Sequence, residues 1–133
     1  PTGEVLNIFR TDTPELGGRD SVNWPFTAIR LGSGNTLVSL THGNKIVEFS
    51  PSGSVEWKVT NHDLKDRPFQ DPCGIQRLPN GNTVIASYGA KEGIKLFEIT
   101  PSKELVWHYD VYAAHEFQIL TTNGVPIKEE PLK

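Results

Sequence analysis

The sequence predicts an all-β chain of four-stranded antiparallel sheets, on three observations. The stretch RLGSGNTLVSL, from Arg30, returns as RLPNGNTVIAS, from Arg77, so that Asn82 stands 47 residues after Asn35 and Trp107 stands 50 after Trp57. Each copy divides into four short runs rich in β-branched and aromatic residues, separated by Gly, Pro, Asn and Ser, which is the pattern of strands joined by tight turns. No window sustains a 3.6-residue apolar period with caps, so almost no helix is expected. A sheet unit of this length cannot bury its flat faces alone. Repeats of about 40 to 50 residues with four strands are the blades of a β-propeller.

The strands follow in order. In the first copy they are AIRL, NTLVSL, KIVEFS and SVEWKV; in the second, GIQRL, NTVIAS, IKLFEI and ELVWHYD. GSGN and PNGN separate the first two strands of each copy, and Gly at a tight turn accepts positive φ without steric cost. SPSG and TPSK separate the last two. Partial copies flank this pair. TGEVLNIF at 2–9 aligns with SGSVEWKV at 52–59 and reads as a fourth strand, while HEFQIL at 115–120 aligns with CGIQRL at 73–78 and reads as a first strand, with GVPIKEE as the stub of a second. Naming the strands of a blade A to D, the order is D-ABCD-ABCD-AB. The expected divisions of this single arc, 1–133, are an outer strand of a partial blade at 1–12, blades at 24–60 and 71–110, and the start of the next blade at 115–133.

About three blades fall short of the four to eight that surround a channel, and open blade edges invite further pairing. The ring is therefore expected to be completed by a missing segment of a longer propeller or by another copy, two arcs of three giving a six-bladed homodimer.

Composition narrows the partners. The 133 residues carry a net charge of -3 with no basic cluster, which gives no electrostatic reason to bind nucleic acid or an anionic membrane. No apolar run approaches the roughly 20 residues of a membrane helix. Cys73 is the single cysteine and cannot form an internal disulfide. His42, His62, His108 and His115 lack the close spacing of zinc motifs, so no metal is expected. Trp57 and Trp107, with Phe49 and Phe97 taken as matching repeat positions, recur at the blade period and are expected to pack between blades.

The pair RLGSGNTLVSLTHGNKIVEFSPSGSVEW and GIQRLPNGNTVIASYGAKEGIKLFEITPSKELVW resembles the repeat of the pyrroloquinoline-quinone-like β-propeller superfamily, in the branch shared with arylsulfotransferase-like proteins. The likeness runs from about Gly3 to about Gly124. It implies a propeller and slightly favours a secreted or periplasmic location. The cofactor-binding segments of the quinone-dependent members have no counterpart here, so no cofactor is expected. Arylsulfotransferase-like members carry a His or a His-Asp pair just before the A strand. The matching places hold Phe26 and Thr27, then Cys73 and Gly74, then His115 and Glu116, and only the last keeps the pattern, with Glu for Asp.

In such a ring the A strands line the channel, so residues entering them converge although far apart in sequence. The candidate ligand-binding residues are Trp24, Arg67, Asp71, Cys73 and His62, with Arg19 leading into the first blade and Asp63 beside His62. His115 and Glu116 are the candidate catalytic pair, an imidazole for base or nucleophile work and a carboxylate to orient it. The first reading is a binding module that takes a small polar molecule or a protein at the channel mouth. The alternatives are a hydrolase or transferase using His115 and Glu116, and a structural repeat scaffold. Glu129 and Glu130 form a carboxylate pair near the end of the chain and are expected to be inert.

Overall fold

A computed structural model describes residues 2–18 and 21–127. Two four-stranded antiparallel sheets dominate it. The first contains β1 (Pro25–Arg30), β2 (Thr36–Leu40), β3 (Lys45–Phe49) and β4 (Val55–Thr60); the second contains β5 (Pro72–Arg77), β6 (Thr83–Ser87), β7 (Leu96–Ile99) and β8 (Leu105–Tyr109). Both run in simple meander order. The regular helical content among the described residues is one 3₁₀ turn at Pro14–Leu16, where Pro fits a first position that needs no N–H.

The repeat is kept down to its irregularities. β1 pairs with β2, and β5 with β6, through a ladder that shifts register after the first pair, between Pro25 and Ala28 and between Pro72 and Ile75. β3 with β4 and β7 with β8 shift again at Glu48/Phe49 and Glu98/Ile99. Gly34 and Gly81 both turn at φ 88°, a conformation that a Cβ would strain, and each closes its A–B turn by donating to Leu31 O and Leu78 O at 2.9 Å. Glu48 faces Trp57 across its ladder and Glu98 faces Trp107. That register corrects one expected equivalence. Val47 matches Phe97 and Phe49 matches Ile99, so Phe49 and Phe97 share a face but stand two residues apart in the repeat.

The core lies between the sheets. Leu37, Ile46 and Val59 of the first meet Ile75, Ile85, Phe97 and Ile99 of the second, with Leu64 and Phe69 of the connecting loop filling the seam; Phe69 and Phe97 meet edge to face, centroids 5.2 Å apart. Each such buried side chain contributes about 1.5 to 3 kcal/mol. At the rim the blades are fastened by a polar bracket. Arg77 Nη2 donates to Glu48 Oε2 (2.7 Å) while Asn35 Nδ2 donates to Glu48 Oε1 (2.8 Å), the Arg77 guanidinium lies 5.3 Å from the centre of the Trp57 ring, and Trp57 Nε1 donates to Pro101 O (3.0 Å). Trp57 is thus an inter-blade residue, as its periodicity predicts. Trp107 is 46% exposed, because its sheet has no following C–D pair against it among the described residues.

The other face of the first sheet carries Val38, Leu40, Val47 and Phe49, and the N-terminal segment covers it through Leu16 and Phe9; the Phe9 and Phe49 rings stack at 5.4 Å. Residues 2–10 form no hydrogen-bonded strand, since a D strand needs a C strand beside it and none lies there among the described residues. Asn7, which aligns with Trp57, places its side-chain amide within 3.2 Å of Pro51 O, the position matching the Trp57 contact with Pro101.

The expected first strand at 115–120 is likewise not a regular strand, but it docks along β5. Gly74 N donates to His115 O (2.6 Å), and the Gln76 side chain brackets Ile119, donating to its carbonyl (3.2 Å) and accepting from its N–H (2.7 Å). A Cβ on Gly74 would stand 2.8 Å from His115 O, so this approach requires glycine. The chain then turns at Asn123-Gly124, both with positive φ, pairing β9 (Thr121–Thr122) with β10 (Val125–Pro126). The rest of the expected second strand, with Glu129 and Glu130, lies outside the described residues, as does Arg19.

Candidate functional site

Antiparallel order places the start of each A strand beside the end of its B strand. At that end of the two blades a cavity of about 320 Å³ opens between Trp24, Pro25 and Phe26 before and at the start of β1, Thr41 and His42 after β2, Asp71 and Cys73 at β5, Tyr88 after β6, and His115. Of the sequence-predicted candidates, Trp24, Asp71, Cys73 and His115 are brought together here.

Backbone and side-chain bonds hold this end in shape. Thr41 N donates to Trp24 O (2.8 Å), and Thr41 Oγ1 crosses to Pro72 O of the next blade (2.9 Å). The fully buried Ser39 accepts from Thr27 N (3.0 Å) and donates to Cys73 O (2.7 Å). Asp71, itself at φ 49°, is fixed by Asn44 Oδ1 accepting from its N–H (2.9 Å). His42 Nδ1 and Asp71 Oδ1 are hydrogen-bonded at 3.0 Å, the carboxylate oxygen accepting, and the Trp24 ring meets the imidazole edge to face at 4.7 Å.

The His115 ring is stacked between Tyr88 (centroids 3.5 Å apart) and Phe26 (5.8 Å). Glu116 turns away from it, its Oε1 accepting from Thr27 Oγ1 (2.9 Å). The two neighbours in sequence therefore take different partners, and the oriented imidazole of the site is His42. Cys73 is 2% exposed. Burial pushes its thiol above the ordinary cysteine value, with the Asp71 charge adding to this and Glu116 contributing less, against a lowering by Thr41. A neutral buried thiol is a packing group rather than a nucleophile.

His62 and Arg67 stand apart from the cavity. Asn61 donates to Phe69 O and accepts from Phe69 N, both at 2.8 Å, which closes the connecting loop on itself, buries Leu64 and Phe69, and leaves His62 and Arg67 exposed. Among the described residues no three His, Cys, Asp or Glu side chains gather as a metal site, and no helix is long and apolar enough to cross a membrane.

Sequence reasoning missed His42 and Tyr88. The signal was available, since both follow a B strand and so emerge at the end where the A strands begin. A larger cleft of about 730 Å³ lies between the blades toward the A–B turns, bounded by Ile29, Leu31, Gln76, Arg77 and Phe117. Of its charged and amide groups, Arg77 and Glu48 are paired with each other and Gln76 holds the Ile119 backbone, while Arg30 bonds its own A–B turn at Gly34 O and Gln118 lines the rim.

No protein-family model matches the chain, and no curated protein matches it. Among solved structures it is similar to a protein of unknown function from Bacteroides caccae, at 20% identity over 65% of this chain and 35% of that one, TM-score 0.59. It is similar also to a streptogramin B lyase, at 18% identity over 67% of this chain and 27% of the other, TM-score 0.52. The chain thus spans about a third of these structures or less. The likeness is one of fold, and with the two meander sheets it makes the chain a β-propeller arc.

Proposed function

We propose that this propeller arc is a recognition module whose ligand sits in the cavity at the mouth of the channel, between β1 and β5. The observation that carries the reading is the convergence there of Trp24, Phe26 and Tyr88, large aromatics left 64%, 51% and 45% exposed, around an oriented His42–Asp71 pair. Exposed aromatic walls with a few fixed polar groups are the usual make-up of a ligand site. A screen of small polar molecules by NMR tests it. Hits should shift the Trp24 indole and His42 ring signals and vanish in Trp24→Ala; hits that shift only residues of the A–B cleft would overturn it.

A second reading, a hydrolase or transferase, is favoured by the same pair, with His42 as general base oriented by Asp71 in place of His115 and Glu116. Ester turnover abolished by His42→Ala and unchanged in Glu116→Gln would support it. Membership of the arylsulfotransferase-like branch rests on the repeated Gly-Asn-Thr turn motif. Completion of the ring, by a second copy or by further blades, rests on the unpaired course of residues 2–10 and on the exposed Trp107. Light scattering on the isolated chain separates these, a dimer speaking for the first and a monomer for the second.

A further inference from the structure

We infer that the channel-mouth cavity selects a cationic ligand, an alkylated ammonium group held by aromatic faces and carboxylates. The inference rests on the reading of this cavity as a ligand site and adds the chemical class.

Three features of the lining lead to it. The walls are aromatic: Trp24 is exposed, and Phe26 and Tyr88, each with one face on the His115 ring, are about half exposed; a free ring face carries the negative lobe of its quadrupole, which attracts a cation within about 6 Å of the ring centre. Beside the His42 and His115 imidazoles, the charged group of the lining is a carboxylate. Asp71 lines the cavity, and no lysine or arginine does among the described residues. Glu116 lies close by, near enough that both acidic groups bear on the buried Cys73 thiol.

These carboxylates also have capacity to spare. Asp71 Oδ1 is engaged by His42, whereas Oδ2 lies against Gly89, where a Cβ would come within 2.6 Å of it; the Asp71 side chain as a whole is 43% exposed. Glu116 uses Oε1 on Thr27 and holds Oε2 at the Gly74 backbone, 3.1 Å from where a Cβ would stand. Neither Oδ2 nor Oε2 takes a hydrogen bond among the described residues. An anionic ligand would meet both charges and the negative ring faces. A neutral one would gain the apolar contact but leave the carboxylates unmatched.

Choline, its neutral isostere 3,3-dimethylbutanol and the anion 3,3-dimethylbutanoate make the test, titrated by calorimetry and by NMR of the Trp24 indole. Choline should bind about tenfold or more tighter than the alcohol, and the anion weakest. Trp24→Ala and, separately, the near-isosteric Asp71→Asn should each remove most of that preference, with unchanged thermal midpoints showing the fold intact. Equal or tighter binding of the alcohol or the anion, lost in Trp24→Ala, would overturn the charge preference and leave the cavity a ligand site. Choline that fails to bind at millimolar concentration overturns the inference too, and the small-molecule screen then decides the reading beneath it.

Discussion

Arg77 lies against Trp57 of the preceding blade and donates to Glu48 of the same blade at 2.7 Å, both charged side chains mostly buried. One residue at the end of an A strand thereby clamps the C and D strands of its neighbour. Removing it would leave Glu48 with Asn35 alone and uncover Trp57. Arg77→Ala should lower unfolding stability by about 2 kcal/mol or more, a fall of several degrees in the thermal midpoint. Arg77→Lys, which keeps the charge without the planar fork, should fall between. A double-mutant cycle with Glu48→Gln should give a coupling of about 1 kcal/mol or more; additivity would show the bracket to be ornamental.

Ser39 is a bridge that its repeat counterpart does not need. It relays Thr27 N to Cys73 O across the blades, whereas Ala86 stands at the matching place in the second blade because Gly74 N reaches His115 O directly. Ser39→Ala should cost about 1 to 3 kcal/mol, since a buried carbonyl and a partly buried N–H lose their partner. Ala86→Ser gains no such partner and should not stabilise. Urea midpoints of the two variants give the comparison.

Gly74 sets how the segment after the second blade is held. Gly74→Ala should push residues 115–120 off β5 and speed amide exchange at Ile119 and Ile127, which bond to Gln76 and Leu120. Gly32, with open space where its Cβ would go, is the control; Gly32→Ala should leave both rates unchanged.

Acid should loosen the blades through Asp63. Partial burial pushes its carboxyl up, but the Lys103 hydrogen bond, with those from the Thr60 N–H and hydroxyl, outweighs this and holds it below the ordinary Asp value. Lys103 comes from the C–D turn of the next blade, at 2.7 Å. A carboxyl lowered in the fold stabilises it above the unfolded value of about 4, and that contribution disappears as pH falls through the folded value. The urea midpoint should drop between about pH 5 and pH 3, and Asp63→Asn should flatten that part of the curve. Parallel curves would remove Asp63 from the explanation.

Cys73 should react with a disulfide reagent at pH 8 at least about tenfold more slowly than an exposed thiol, because burial denies access and raises its pKa. Asp71→Asn removes the second cause of that rise and should quicken the reaction without unfolding the protein.

Strand order, blade length and turn positions were legible in the sequence because they depend on neighbours along the chain. Alternation of apolar residues and glycine at the tight turns fix each meander locally, and the repeat states the result twice. Which side chains meet at the cavity depended on how two sheets pack and where loops fold back. His42 and Asp71, 29 residues apart, approach because the first blade's B–C turn lies over the entrance to the second blade's A strand. His62 and Arg67 were drawn away by the Asn61 bracket on Phe69, and His115 and Glu116 parted toward Tyr88 and Thr27. Periodicity constrains which face of a strand a residue occupies, and it carries no information on contacts between loops, whose geometry is set by tertiary packing.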